Sequence, residues 1–191
     1  MQGLTEIRWH ARAGQGAVTA AKLVAETALE SGRYMQAMPE YGPERTGAPL
    51  KAYTRVSDQP IELHNNIVNP DIVIVLDDTL LDVIDVLEGM HEGGQLIVNT
   101  RECVADIRKK IDAPEHIDIA VVPATDISLE HIGRDLPNTP IAGALAKVTG
   151  VIDVEALKSH LKSSFSEKFS EKVVDANLAS VQEAYEEVLT R

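Results

Sequence analysis

Hydrophobic and polar positions alternate over Leu4–His10 (LTEIRWH), which predicts a strand with one buried face. Past the turn ARAGQG the spacing changes to that of a helix, and AVTAAKLVAETALESG has the Ala-rich composition helices favour. A strand, a glycine turn and a helix are expected there. Tyr34–Met38 reads as a short second strand, and Leu50–Val56 (LKAYTRV) alternates again. The run DIVIVL, Asp71–Leu76, is apolar after its first residue, as suits a strand covered on both faces. TLLDVIDVLEGM, Thr79–Met90, is expected to be helical, ending at glycines. QLIVN and IDIAVV are two further central strands, separated by a helix over CVADIRKKI. From Thr139 on the pattern is helical with polar breaks. Strands alternating with helices imply an α/β fold: a Rossmann-like, mainly parallel sheet with flanking helices, right-handed crossovers and a helical C-terminal part. No linker divides residues 1–191, so one domain is expected.

Composition narrows the function. Hydrophobic residues make up 44% of the 191 while aromatics make up 4%, so the interior is aliphatic. Thirty acidic residues against 18 basic ones give a formal charge of −12, which repels phosphate backbones and anionic membranes. Nucleic acid and membrane partners are therefore not expected. No run of about 18 apolar residues occurs and the N-terminus lacks a signal-peptide core, so a cytoplasmic protein is expected. The single cysteine, Cys103, cannot supply the thiolates of an iron-sulfur cluster or a structural zinc site.

Several motifs carry possible chemistry. In the turn HARAGQGAVTAAK the glycines let the backbone approach a phosphate, which the following helix N-terminus attracts. The same turn also reads as simple chain reversal, because Gly14 and Gly16 are only two of the three small residues of a dinucleotide fingerprint and Thr19 takes the third place. In VLDDT, adjacent Asp77 and Asp78 diverge on a strand, so Asp78 reads as a helix cap rather than a phosphoryl acceptor. The six histidines fall on separate elements without a helical pair, and Cys103, at a helix start, reads as an inert core side chain. MPEYGPERTGAPLKAY, from Met38 to Tyr53, holds three prolines that stiffen it into a loop. Its Glu40, Glu44 and Arg45 are either solvated charges or one flank of a site at the C-terminal sheet edge, opposite the glycine turn.

Together, RAGQGAVTAAKLVAE, YMQAMPEYGPERTGAPLKAYTRVSDQPI, NPDIVIVLDDTLL, GGQLIVNT and NTPIAGALAKVTG resemble the gamma subunit of pyruvate:ferredoxin oxidoreductase and related 2-oxoacid:ferredoxin oxidoreductases. The order and spacing match across nearly the whole chain, with Ala11 and Ala13 standing where the family commonly has glycine.

The resemblance implies one subunit of a complex that converts a 2-oxoacid, pyruvate first among them, and coenzyme A to acyl-coenzyme A, CO2 and reduced ferredoxin. Thiamine diphosphate, Mg2+ and 4Fe–4S clusters would sit on partner subunits (alpha, beta and a ferredoxin-like delta), leaving no cofactor and no catalytic residue on this chain, which alone would be inactive. By the same resemblance Gly14, Gln15, Gly16 and Lys22 would contribute to the coenzyme A site. Tyr41, Glu44 and Arg45 would form a rigid interface near the thiamine cofactor. The alternative is a free-standing nucleotide-binding Rossmann-like enzyme in which Glu40, near the end of the second strand, holds a ribose hydroxyl.

Overall fold

The structure, a computed structural model, describes residues 3–40 and 47–190. In chain order the elements are β1 (Leu4–Arg12), α1 (Ala17–Glu30), β2 (Tyr34–Glu40), β3 (Pro49–Ser57), β4 (Ile72–Val75), a 3-10 helix (Asp78–Asp82), β5 (Gln95–Asn99), α2 (Val104–Lys110), β6 (Asp118–Val122), α3 (Ala124–His131), α4 (Asn138–Thr149), α5 (Val154–Ser166), α6 (Glu171–Glu187) and β7 (Leu189–Thr190). Among the described residues the strands form one sheet in the order β2-β3-β1-β4-β5-β6-β7. Strands β1, β4, β5 and β6 are parallel neighbours, as the alternation of strands and helices predicts. The antiparallel members are β3, inserted between β2 and β1, and the short β7 beside β6.

Alternate residues of each central strand face opposite sides, and the two sides are covered differently. On one side Ile7, Trp9, Ile74, Ile97 and Val122 pack against α1 and the C-terminal helices. Ala17, Ala20, Ala21, Val24 and Ala28 of α1 are buried, and their small side chains let the helix lie close to the sheet. The Trp9 indole, fully buried, donates to Thr54 Oγ1 at 3.0 Å, and Thr54 donates to Ala21 O at 3.1 Å, which joins β1, β3 and α1. On the other side Val73, Val75, Leu96, Val98 and Val121 meet Leu80, Val86, Val104 and Ile107.

Four expectations are corrected. Thr79–Met90 does not form a helix: only Asp78–Asp82 is helical, as 3-10, and turns follow. Carbonyls that a helix would use are taken by tertiary partners, since the buried Arg8 Nη2 donates to Val86 O at 3.0 Å and to Glu88 O at 2.6 Å. Leu87 N–H goes to the Asp85 carboxylate at 2.9 Å, which closes a turn. The cap of the 3-10 helix is Asp77, whose side chain accepts from Thr79 N–H, while Asp78 accepts from the Thr100 hydroxyl at 2.7 Å. Cys103 precedes α2 as expected but is exposed, with Sγ 3.0 Å from Asp106 Oδ2, so it is no core side chain. The stiff loop is also shorter than its prolines suggested, because β2 runs through Pro39 to Glu40 and β3 starts at Pro49. An edge strand such as β2 tolerates a residue without an N–H.

Candidate functional site at the C-terminal sheet edge

From β1 the chain crosses through α1 to one side of the sheet, and from β4 it continues to the other side, so the two strands diverge at their C-terminal ends. Ligands of open α/β sheets collect in such crevices. Here the crevice is spanned by side chains. Gln15 accepts from Arg12 N–H at 2.8 Å and donates to Asp77 Oδ2 at 2.7 Å. Arg12 donates to Thr79 Oγ1 at 2.8 Å and to Gly47 O at 3.1 Å, and its Nε lies 3.3 Å from Asp77. Asp77 thus receives Gln15, Arg12 and Thr79 together.

Burial opposes charge on the Asp77 carboxylate, but the hydrogen bonds from Thr79 and Gln15, with the Arg12 guanidinium, outweigh it and hold the pKa below the ordinary value. A depressed carboxylate stabilises the fold fully above its unfolded pKa, about 3.9, and loses that contribution as pH falls toward the folded value. The stability gap between the parent and Asp77→Asn is therefore expected to be constant above that pH and to shrink below it. Urea midpoints measured across the range check this, and a gap that widens on acidification would contradict the assignment.

The glycine turn leads into an uncapped helix start. Gly16 stands at the N-cap of α1 with φ +81°, no side chain caps the helix, and its first turn holds no acidic residue. Three α1 amides, those of Ala17, Val18 and Thr19, precede the first intrahelical bond, from Ala20 N–H to Gly16 O. Gly14, at φ +105°, has nothing within 4 Å of where a Cβ would project. Gly14, Gln15 and Gly16 are thus adjacent, although the Gln15 amide is engaged on both sides. Lys22 lies about 9 Å beyond Gly16 along the axis, at roughly 1.5 Å per residue. Its side chain is largely exposed and pairs with Glu26 at 3.4 Å. The cation beside the turn is Arg12, which the sequence reading missed; a basic residue directly before a glycine turn is the signal that could have found it. Tyr41, Glu44 and Arg45 lie outside the described residues. The chain on the far side of them is tied to the turn, with Ala13 N–H donating to Ala48 O at 2.9 Å and Gly47 N–H to Ala13 O at 3.4 Å.

Next to the turn a cleft of about 450 Å³ runs along the ends of β4, β5 and β6. Asp77, Asp78, Glu102, Asp126 and Asp135 line it against one cation, Arg101, which is itself paired with Asp126. Its field disfavours phosphate. Among the described residues no group of three or more His, Cys, Asp or Glu side chains could hold a metal ion. Glu40 does not stand where a ribose-binding acid would. Strand β3 separates β2 from β1, and Glu40 accepts the Tyr53 hydroxyl. Burial, followed by that hydrogen bond, raises the Tyr53 phenol above its ordinary pKa.

Residues 6–187 match the family model described as pyruvate ferredoxin/flavodoxin oxidoreductase. Pyruvate synthase subunit PorC of Thermotoga maritima is 48% identical over 183 residues, covering 96% of this chain and 94% of that protein. The pyruvate/ketoisovalerate oxidoreductases common subunit gamma of Thermococcus litoralis is 43% identical, covering 97% and 98%. The crystal structure of pyruvate oxidoreductase subunit PORC from Thermotoga maritima superposes with a TM-score of 0.88 at 45% identity, over 99% of both chains. With nearly its whole length matched in sequence and in fold, the chain belongs to the pyruvate ferredoxin/flavodoxin oxidoreductase family.

Proposed function

We propose that this chain is the gamma subunit of a multi-subunit 2-oxoacid:ferredoxin oxidoreductase, with pyruvate the first substrate to test, and that the complex forms acyl-coenzyme A, CO2 and reduced ferredoxin. The full-length match to relatives bearing subunit names carries this reading. The oxidation is assigned to other subunits, because one exposed thiol, Cys103, does not fit a cluster that needs several. Thiamine diphosphate with its Mg2+ is likewise assigned to the alpha and beta partners, and the clusters that pass electrons to ferredoxin to them and a delta partner.

The share of this chain is contact and binding. The uncapped α1 N-terminus, its Gly14–Gly16 approach and the Arg12 guanidinium support a place for a phosphate of coenzyme A. Lys22 would add a weaker, more solvated attraction from further along the helix. Gly14→Ala places a methyl group where a phosphate would approach, at a position with space for it. Gly32→Ala is the matched control, since Gly32 has a similar φ of +81° and equally open surroundings at the far end of α1. In the assembled complex Gly14→Ala is expected to raise KM for coenzyme A about tenfold or more, the worth of a charge-assisted hydrogen bond or two, and to leave KM for pyruvate unchanged. Lys22→Ala should act in the same direction and less strongly, and Gly32→Ala should do neither. An unchanged KM for coenzyme A in Gly14→Ala would remove the phosphate role of the turn. Failure to assemble with thiamine-bearing and ferredoxin-like partners would remove the gamma-subunit reading.

A further inference from the structure

On the sheet face turned away from α1, opposing residues of three strands form a row: His10 of β1 opposite Lys51 of β3, and Lys51 opposite Glu40 of β2. Directly opposed residues of antiparallel strands share a face. An open cavity of about 150 Å³ lies along this row, lined further by Pro49, Leu50 and Ile84, although the Leu50 side chain itself packs on the α1 face. It is separate from the glycine turn and from the acidic cleft.

His10 is 1% exposed. Arg8, equally inside, donates its Nε–H to His10 Nε2 at 3.1 Å. A guanidinium only donates, so Nε2 must be the unprotonated nitrogen, and the proton of the neutral ring sits on Nδ1. Burial, then the charges of Arg8 and Lys51, hold the imidazolium pKa down to about 3, so the ring is neutral at all ordinary pH. Nδ1 has no hydrogen-bond partner among the described residues. The same Arg8 binds Val86 O and Glu88 O, which positions the segment carrying Ile84 over the row. One buried cation therefore sets the tautomer and the wall of the cavity together.

We propose that this cavity is a binding site for a short-chain monocarboxylate, whose oxygens accept from His10 Nδ1–H and Lys51 Nζ while its alkyl end meets Pro49 and Ile84. A buried N–H without an acceptor is costly, and a carboxylate oxygen satisfies it better than a neutral one. Lys51, directly opposite His10 on this face, brings its ammonium to the same row. Glu40, at the other end of the row, is occupied by the Tyr53 hydroxyl. The volume equals that of about five waters, at roughly 30 Å³ each, which suits an acid of about two to four carbons.

The test is ring-nitrogen NMR on the 15N-labelled full chain, titrated with sodium butyrate against sodium chloride at equal ionic strength. In the free protein His10 is expected to show the neutral Nδ1–H tautomer, with a signal lost in His10→Gln. Butyrate should shift that signal saturably, and sodium chloride should not. Lys51→Met, at a half-buried strand position, should weaken butyrate about tenfold or more, and carries the test by itself if His10→Gln does not fold. An Nε2–H tautomer, a butyrate response equal to that of chloride, or unchanged affinity in Lys51→Met would each overturn the proposal.

Discussion

Gly16→Val is expected to destabilise the chain by about 2–6 kcal/mol without any ligand present. Two costs add. A β-branched residue held at φ +81° carries backbone strain of about 1–3 kcal/mol. The new Cβ would also stand 2.9 Å from Asn138 Cγ and 3.0 Å from its Cβ, and overpacking of this kind costs about 1–3 kcal/mol. Asn138 has little room to yield, being 9% exposed in the first turn of α4. Urea unfolding of the parent, Gly16→Val and Gly14→Val separates the two terms, because Gly14 has comparable φ and no neighbour within 4 Å. Equal losses in both variants would show that the Asn138 contact is unimportant. This steric demand changes how the turn should be probed. An effect of Gly16→Val on coenzyme A use would report misplacement of α4 as much as a blocked phosphate, whereas Gly14→Ala isolates the approach of the ligand.

The second large effect is expected in assembly. Arg45→Ala and, separately, Glu44→Ala should leave the unfolding of the lone subunit within about 0.5 kcal/mol of the parent, as removal of a surface charge typically does. At an interface the same deletion leaves a desolvated partner unpaired, which costs roughly 2–5 kcal/mol in association, or about 30-fold or more in affinity. The proposed role for Tyr41, Glu44 and Arg45 is supported by where their flanks are attached. Glu40 is held by Tyr53, and Gly47 and Ala48 are bonded to Ala13 and Arg12 of the glycine turn. A residue docked between those anchors would be felt at both. Thermal unfolding of each variant, together with reconstitution with thiamine-bearing subunits and a ferredoxin-reduction assay, reads both quantities. Full assembly and turnover in both variants would reduce Glu44 and Arg45 to solvated charges, and a large loss of subunit stability would assign them to the fold.

The sequence by itself determined the elements whose signals are local. The strand, glycine turn and helix from Leu4 to Glu30 were legible because alternation, a break and helical spacing each depend on neighbours a few residues away. The continuous apolar runs at Ile72–Val75 and within β6 from residue 119 to 122 were legible as central strands because burial on both faces leaves no polar positions there. Gly14 and Gly16 could be singled out because their backbone conformations exclude most other residues. The tertiary structure alone decided what depended on distant partners. Thr79–Met90 has helical spacing, yet Arg8, some 80 residues earlier, takes two of its carbonyls and holds it as turns. The insertion of β3 between β2 and β1, which removes Glu40 from a ribose-binding position, leaves no mark in local pattern because pairing order is set by long-range packing. Likewise Arg12, Gln15, Asp77 and Thr79 form one cluster although more than 60 residues separate its halves. His10 acquires its tautomer from Arg8 and its cavity from Lys51 and Ile84, which only the folding of β1 against β3 and the segment beyond β4 brings together. A hydrogen bond between side chains is decided by distances of a few tenths of an ångström, and no spacing along a chain encodes those.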